Sequence, residues 1–248
     1  MSMRRLAAAG LLAILVTGCA GVPTRKLPPT PDRFERVNRG IDKFNRAVDR
    51  YTLRPIAVGY KKVMPRPLRI AISNFFDNLE EPINIVNNLL QGKFARGGAE
   101  VGRFLLNSTV GIGGLIDVST HAGLEAHEED FGQTLAVWGM GSGPYLVVPF
   151  LGPYTLRDGF GDVLDSPMYP VYWVEEDKVR YSLIALWAID TRSQFLDIDR
   201  ALNEALDPYV FLRESFLQHR TYEIYDGEPP LEEFPEDELP DESQPPGQ

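Results

Sequence analysis

The chain has 248 residues, of which 44% are hydrophobic and 24% are charged, and its formal net charge is −10 at pH 7. Nine acidic residues fall in 226–248, a segment without Lys or Arg, so the rest of the chain is nearly neutral. A nearly neutral body gives no electrostatic attraction for nucleic acid, and a single cysteine excludes a disulfide within the chain. The length suits one large domain or two small ones.

The amino terminus has the pattern of a bacterial lipoprotein signal. Two arginines at positions 4 and 5 precede an apolar run from Leu6 to Val16, which is too short to span a bilayer core of ~30 Å. The next residues, Val-Thr-Gly-Cys at 16–19, resemble a lipobox, where a signal peptidase cuts before a lipid-modified cysteine. We therefore predict a signal peptide at 1–18 and a lipid anchor on Cys19. The alternative is an ordinary secreted protein whose cysteine lies near the cleavage site.

The segments on either side of the body lack the composition of a packed domain. Residues 19–31 contain four prolines and are predicted to tether the lipid to the body. Ala20 favours the outer membrane, since an Asp at this position favours inner-membrane retention in enterobacterial lipoproteins. The acidic segment 226–248 has too few apolar residues to offset its ordering entropy and is predicted to be a disordered tail, with partner docking as the alternative.

The body begins with an amphipathic pattern. Apolar residues spaced three or four apart form one stripe, which predicts a helix whose apolar face contacts either a protein core or a membrane. The stripe consists of Phe34, Val37, Ile41, Phe44, Val48 and Tyr51. Asp32 and Glu35 have the spacing of a capping box, and Arg54-Pro55 is expected to end the helix.

Further helices follow from periodicity and capping signals. One is expected from about Leu68 to a break at Glu81-Pro82, and another from Pro82 to Leu90, before Gly92. Residues 97–106 predict a helix, and the apolar run 181–189 predicts a buried helix or a helix lying in the membrane plane. Asp207-Pro208 has the pattern of an N-cap followed by the first helical residue, so a last helix is expected to end before Asp226. Between them, residues 107–170 are rich in Gly and Pro, which favours turns and close packing.

We find no catalytic pattern in the chain. Ser142 lies between two glycines, but Met140 occupies the first glycine position of a nucleophile elbow. His121 and His127 lie near acidic residues, but their spacing matches no common metal-ligand pattern, so a polar loop is the better interpretation. The chain is therefore not predicted to be an enzyme or to hold a metal or cofactor.

Five collinear stretches resemble the MlaA (VacJ) family of outer-membrane lipoproteins, and together they cover nearly all of the body. They are residues 32–60, 74–92, 103–119, 130–162 and 190–220, which include NFFDNLEEPINIVNNLLQG and DFGQTLAVWGMGSGPYLVVPFLGPYTLRDGFGD. The tether and the acidic tail fall outside the resemblance, so the family-like domain is expected at 32–225.

The resemblance implies a mainly α protein: a single ring-like helical domain lying in the inner leaflet of the outer membrane. A central amphipathic channel would pass phospholipids mislocalised in the outer leaflet to a soluble periplasmic lipid carrier, with trimeric porins as membrane partners and no cofactor. One alternative is a non-enzymatic adaptor lipoprotein that tethers envelope partners. A lipid hydrolase is the third hypothesis, and the missing nucleophile motif argues against it.

The Gly-rich region is our candidate for the channel and its rim. Arg157 is a candidate for contact with a lipid phosphate, and Asp158, Asp162 and Asp165 for channel or headgroup contact; the alternative is a structural Arg157–Asp158 ion pair. For two further sets of residues, the sequence does not distinguish a structural role from contact with lipid. They are the asparagines Asn45, Asn74, Asn78 and Asn107, and the aromatic residues Phe75, Phe76, Tyr169, Tyr172 and Trp173.

Overall fold

The computed structural model describes residues 32–230. The predicted signal peptide, Cys19, the tether and the acidic tail beyond residue 230 lie outside the described residues. The described part is one mainly helical domain, as predicted. Its helices are α1 (Glu35–Val48), α2 (Arg54–Val63), α3 (Arg66–Leu90), α4 (Phe94–Thr109), α5 (Val118–His121), α6 (Phe131–Val137), α7 (Leu156–Asp165), α8 (Asp177–Gln194), α9 (Asp199–Glu204) and α10 (Pro208–Ile224), and its strands are β1 (Tyr145–Val148) and β2 (Gly152–Thr155).

The first helical stretch differs from the prediction at both ends. The capping box is wrong: Asp32 Oδ1 accepts a bond from the Phe34 backbone N–H at 3.2 Å, but Glu35 binds Arg39 instead. The predicted stop at Arg54-Pro55 is also wrong, because α1 continues through a π-helical segment, Asp49–Leu53, into α2. Pro55 then falls in the first turn of α2, where a proline is tolerated.

The second correction concerns α3, which runs unbroken for 25 residues with Pro82 inside it. An interior proline removes one backbone hydrogen bond and costs about 3 kcal/mol, which is why a break was expected. Packing opposes the break, because α3 lies along α4 over much of its length. The two helices approach closely at Gly97, where a Cβ would lie 2.9 Å from Leu89 Cδ2 and the Leu89 side chain would have to shift.

The Gly- and Pro-rich region forms short elements joined by turns, as expected, and it also contains a hairpin that was not predicted. Strands β1 and β2 pair antiparallel, with Tyr145 opposite Thr155 and Val148 opposite Gly152. The turn between them places Phe150 at φ +67°, in the left-handed region. Helix α7 begins directly after β2, capped by the Thr155 side chain.

The last helix agrees with its sequence signals. The Asp207 side chain accepts bonds from the backbone N–H groups of Tyr209 and Val210, and α10 ends at Ile224. For α8 two interpretations were open, and burial is contradicted because Tyr181 and Trp187 are exposed, whereas a helix in the membrane plane stays a prediction. Within residues 32–230 no helix is both long and apolar enough to cross a bilayer.

The faces of α1 are inverted relative to those of a helix in a water-soluble protein. Its buried residues are Asn38 and Asp42, whereas Val37 is 59% exposed and Tyr51, just beyond it, is 77% exposed. Val37 and Tyr51 therefore do not pack into a protein core, whereas Ile41 of the same stripe is half-buried against Tyr145, Val147 and Tyr209.

The same inversion holds across the domain. Among the residues that the structure describes, 19 buried residues are polar or charged and only 8 are hydrophobic, while large apolar side chains are exposed on most helices. A small apolar cluster of Tyr145, Val147 and Tyr209 lies where β1 meets α10. A protein in water normally buries its large apolar residues, so this distribution indicates an apolar environment for much of the surface.

Candidate functional site

The described residues enclose a cavity of about 650 Å³ between the hairpin, α7, α3 and α8. Its wall is mostly apolar. Representative apolar lining residues are Phe76, Leu79, Leu146, Val148, Phe160, Val163, Leu183 and Trp187. A shallower recess adjoins it and shares Ser166 and Tyr172 with its wall. Such a space accepts an apolar molecule with a polar end.

Two carboxyl groups, Glu80 and Asp162, interrupt the apolar wall. Tyr154 Oη donates a hydrogen bond to Asp162 Oδ2 at 2.8 Å. Burial, reinforced by the negative charge of Asp77, raises the pKa of Glu80 to about 7, and burial also raises the pKa of Asp162. No Lys, Arg or His is found among the cavity-lining residues of the described chain.

Of the four residues singled out from the sequence, only Asp162 lies on the cavity wall. Arg157 and Asp158 are buried and form the ion pair that was the alternative interpretation, with 3.0 Å between Arg157 Nη2 and Asp158 Oδ1. Asp158 also accepts a bond from Arg220 at 3.0 Å, and Arg220 in turn binds Asp130 at 2.7 Å. These contacts join α7 to α10 and to the start of α6.

Asp165 occupies a structural position behind the cavity. One oxygen accepts a bond from Asn87 Nδ2 at 3.0 Å, and the other accepts the Phe131 backbone N–H at 2.8 Å. Burial raises its pKa to about 6 despite these bonds. Asp165 therefore links α7 to α3 and α6 and does not face the cavity.

A second polar network fills the space between α3 and α4. Arg103 Nε lies 3.3 Å from a carboxylate oxygen of both Glu81 and Glu100. Glu100 also accepts the His127 backbone N–H at 2.8 Å. Burial raises the pKa of both glutamates, to about 7 for Glu81. The charged groups of this cluster bind other groups of the same domain, and none of them lines the cavity.

The asparagines have structural contacts. Asn45 Nδ2 donates to the Val148 carbonyl at 2.9 Å, and its Oδ1 accepts the Phe150 N–H at 2.8 Å, so α1 holds the hairpin turn. Asn38 binds Tyr145 and Val147 of β1 in the same way at 3.0 Å. Asn107 binds both the backbone and the hydroxyl of Ser119. None of the four asparagines noted from the sequence lines the cavity.

The aromatic residues divide between wall and surface. Phe76, Tyr169 and Tyr172 line the cavity, and Tyr169 and Tyr172 form an edge-to-face pair with ring centroids 5.9 Å apart. Trp173 is exposed beside the recess, and its indole N–H donates to the Pro167 carbonyl at 2.8 Å. Tyr172 belongs to the walls of both the cavity and the adjoining recess.

Sequence reasoning expected an amphipathic channel in the Gly-rich region, which supplies many of the cavity-lining residues, but it missed Glu80. The signal for Glu80 was weak, because one glutamate beside another in a helix is ordinary. His121 and His127 do not come together, since His127 binds Glu100 and His121 binds the Asp117 carbonyl. Within residues 32–230 no cluster of His, Cys, Asp or Glu could hold a metal ion.

The fold and the site define a class: a helical protein with polar residues inside, apolar residues outside and an amphipathic cavity. Residues 30–223 match the family model described as MlaA lipoprotein, and the chain belongs to this family. It is 38% identical over 235 residues to the "Intermembrane phospholipid transport system lipoprotein MlaA" of Escherichia coli (strain K12), covering 93% of each chain. The Haemophilus influenzae protein of the same name is 33% identical over 236 residues, covering 92% of this chain and 93% of that one.

The domain is also similar to a solved structure described as the "Structural basis for maintenance of bacterial outer membrane lipid asymmetry". The TM-score is 0.70 at 40% sequence identity, covering 78% of this chain and 98% of that one.

Proposed function

We propose that this protein is an outer-membrane lipoprotein that moves mislocalised phospholipids from the outer leaflet to a periplasmic carrier. The observation that carries the proposal is the amphipathic cavity within a body whose polar residues are buried and whose apolar residues face outward. The names of the relatives, which refer to intermembrane phospholipid transport, support it.

The proposed location is the inner leaflet of the outer membrane, with the body lying flat and anchored through Cys19. Exposed apolar side chains on α1, α2 and α4 that do not line the cavity support contact with acyl chains, and amphipathic helices bind a leaflet in this way without spanning it. Tyr and Trp side chains near the opening, including Trp173, suit the headgroup level, where the apolar ring is buried and the polar group is hydrated.

The cavity suits a phospholipid because it provides two environments. Its apolar wall accepts acyl chains, whereas Glu80, Asp162 and the tyrosine hydroxyls provide a polar region for the headgroup. A charged headgroup costs several kcal/mol to bring into hydrocarbon without such groups. Transport through the cavity needs no covalent chemistry, so the proposed role is non-enzymatic.

The family resemblance extends the proposal to partners. A trimeric porin would hold the protein in the membrane, and a soluble periplasmic carrier would receive the lipid. Exposed apolar residues around the domain provide surface for the first of these contacts.

The cavity itself gives the decisive test. Gly159 lies on its wall, and a Cβ there would make only an ordinary contact, 3.8 Å from Tyr154 Cδ1. Gly159→Phe therefore places a ring in the cavity without a backbone clash. Gly98→Phe is the matched control, because Gly98 is an exposed helical glycine with no neighbour within 4 Å of a Cβ.

We expect the deletion strain, and the same strain complemented with Gly159→Phe, to accumulate phospholipid in the outer leaflet and to become sensitive to detergent. The strain carrying Gly98→Phe should resemble wild type. Normal outer-leaflet composition with Gly159→Phe, at normal protein level, would contradict transport through the cavity. If the deletion strain had a phenotype that Gly159→Phe fully rescued, the adaptor hypothesis would be favoured.

A further inference from the structure

The cavity wall contains a carboxyl group, that of Glu80, which has no bonding partner among the described residues. Among residues 32–230 no side chain or backbone group hydrogen-bonds or ion-pairs with Glu80, although its neighbour Glu81 binds Arg103. The nearby charges that act most strongly on Glu80 are those of Asp77, Glu128 and Asp162, and all are negative. Glu80 is partly buried, and a carboxylate in an apolar wall without a cationic partner is costly, so a positively charged group of a ligand would be stabilised beside it.

The rest of the wall has the same preference. Asp162 is the other charged residue of the described cavity wall, and Arg220, a positive charge that acts on it, is already bound by Asp130, Asp158 and Glu223. A lipid phosphate therefore has no cation of this cavity wall to bind. Tyrosine hydroxyls and Ser166 are the polar groups available to it.

Aromatic rings line the same cavity as the two acids. Tyr169 and Tyr172 belong to the cavity wall together with Glu80 and Asp162, and the two rings pack edge-to-face. Aromatic faces combined with carboxylates recognise ammonium groups, because the ring quadrupole and the anion both attract a cation.

We propose that Glu80 and Asp162, with the rings of Tyr169 and Tyr172, form a headgroup subsite that selects phospholipids bearing an ammonium group over those with a net anionic headgroup. The subsite rests on the proposed transport function and specifies its substrate class. An ammonium group extends beyond the phosphate and compensates both acids. A headgroup such as glycerol leaves the phosphate charge facing two carboxyls without a cation.

Competitive lipid binding tests the subsite directly. The purified full-length protein is equilibrated in detergent with equimolar phosphatidylethanolamine and phosphatidylglycerol of identical acyl chains, and bound lipid is counted by native mass spectrometry. The measurement is made at about pH 8, above the pKa of about 7 for Glu80. We expect wild type to bind the ethanolamine lipid with roughly five- to tenfold preference.

Substitution then locates the preference. Glu80→Gln keeps the shape of the side chain and should reduce the ratio to near parity, with a smaller reduction for Asp162→Asn. The control is Glu204→Gln, which removes the same charge from an exposed position on α9. Far-UV circular dichroism checks that each variant is folded.

The outcomes separate the two proposals. Binding of both lipids at parity by the wild-type protein, or a ratio unchanged by Glu80→Gln, overturns the subsite and leaves the transport proposal standing. No binding of either lipid overturns the transport proposal. The ratio measured for wild type can overturn the subsite by itself, so the test stays valid even if a variant does not fold.

Discussion

Two neighbouring glutamates on α3 have opposite surroundings. Glu81 points into the network between α3 and α4, where Arg103 binds it at 3.3 Å. Glu80 lies on the wall of an apolar cavity, with no hydrogen-bonding or ion-pairing partner among the described residues. The two residues represent two regions of the molecule: a packed region whose polar groups bind each other, and an open region with polar groups available to a ligand.

The difference shows how a domain with few buried apolar side chains keeps a defined shape. Hydrophobic burial normally supplies most of the folding free energy, but here large apolar residues face outward. Buried ion pairs and amide contacts then fix which helices meet, since each leaves an unsatisfied group if the packing changes. With the shape fixed by the packed region, the cavity stays open.

Removing Arg220, one of the cations of the packed region, should have the largest effect on stability. Arg220 binds Asp130 and Asp158 at 2.7 and 3.0 Å, and also Glu223, so Arg220→Met leaves three carboxylates without it. Breaking a buried pair by removing one partner costs about 3–5 kcal/mol. We expect the free energy of unfolding in detergent, followed by circular dichroism in denaturant, to fall by that amount.

The control for Arg220→Met is Arg200→Met, which makes the same change at an exposed position on α9. It should change the free energy of unfolding by less than about 0.5 kcal/mol. Equal effects of the two substitutions would mean that the α6–α7–α10 junction does not hold the domain together.

A smaller effect distinguishes the two faces of α7, which contacts the packed region on one side and the cavity on the other. A Cβ on Gly161 would lie 2.3 Å from the Gly132 backbone nitrogen, whereas Gly159 opens onto the cavity. Gly161→Ala should destabilise the domain by about 1–3 kcal/mol, since backbone must move. Gly159→Ala should leave stability unchanged or raise it by up to about 1 kcal/mol, because alanine favours a helix.

Thermal or denaturant unfolding of both variants measures the contrast. They differ from wild type by one methyl group in the same helix, so each is the control for the other. A Gly159→Ala protein as unstable as Gly161→Ala would show that the cavity side of α7 is also closely packed.

Periodicity identified α1 correctly because an amphipathic helix has the same spacing whichever face is buried. It did not identify the buried face, since that depends on the surrounding solvent, and here Asn38 and Asp42 are inside. The long α3 was divided at Pro82 because the local cost was visible and the packing against α4 was not. Local sequence signals predicted a helix end correctly where the end depends on neighbouring residues alone, as at the Asp207 cap of α10.

The site was less predictable than the fold. Asp162 was singled out for its place in the Gly-rich region, but Glu80 is 82 positions away and meets it only through the tertiary arrangement. Arg157 attracted attention as a cation, yet its charge is bound by Asp158. Which charges are bound and which are available depends on long-range contacts that spacing along the chain does not show.

The smallest expected effect is on the pH dependence of stability, and it distinguishes Glu80 from its surroundings. The folded-state pKa of about 7 lies above the ordinary value of 4.5 because of burial and the charges of Asp77, Glu128, Asp162 and Glu81. Between these two pKa values the folded state binds more protons than the unfolded state, so the free energy of unfolding decreases as pH rises from about 5 to 7. Glu81 and Asp165 also have raised pKa values and contribute to the same slope, so wild type alone does not isolate Glu80.

Glu80→Gln removes one titrating group, and we expect the decrease in the free energy of unfolding between pH 5 and 7 to be smaller by about 1 kcal/mol than in wild type. Glu204→Gln should leave the slope unchanged. If Glu80→Gln did not alter the slope, the Glu80 carboxyl would be hydrated like an ordinary surface group. Glu80 would then not differ from a water-exposed glutamate, and the contrast between the packed region and the cavity wall would be lost.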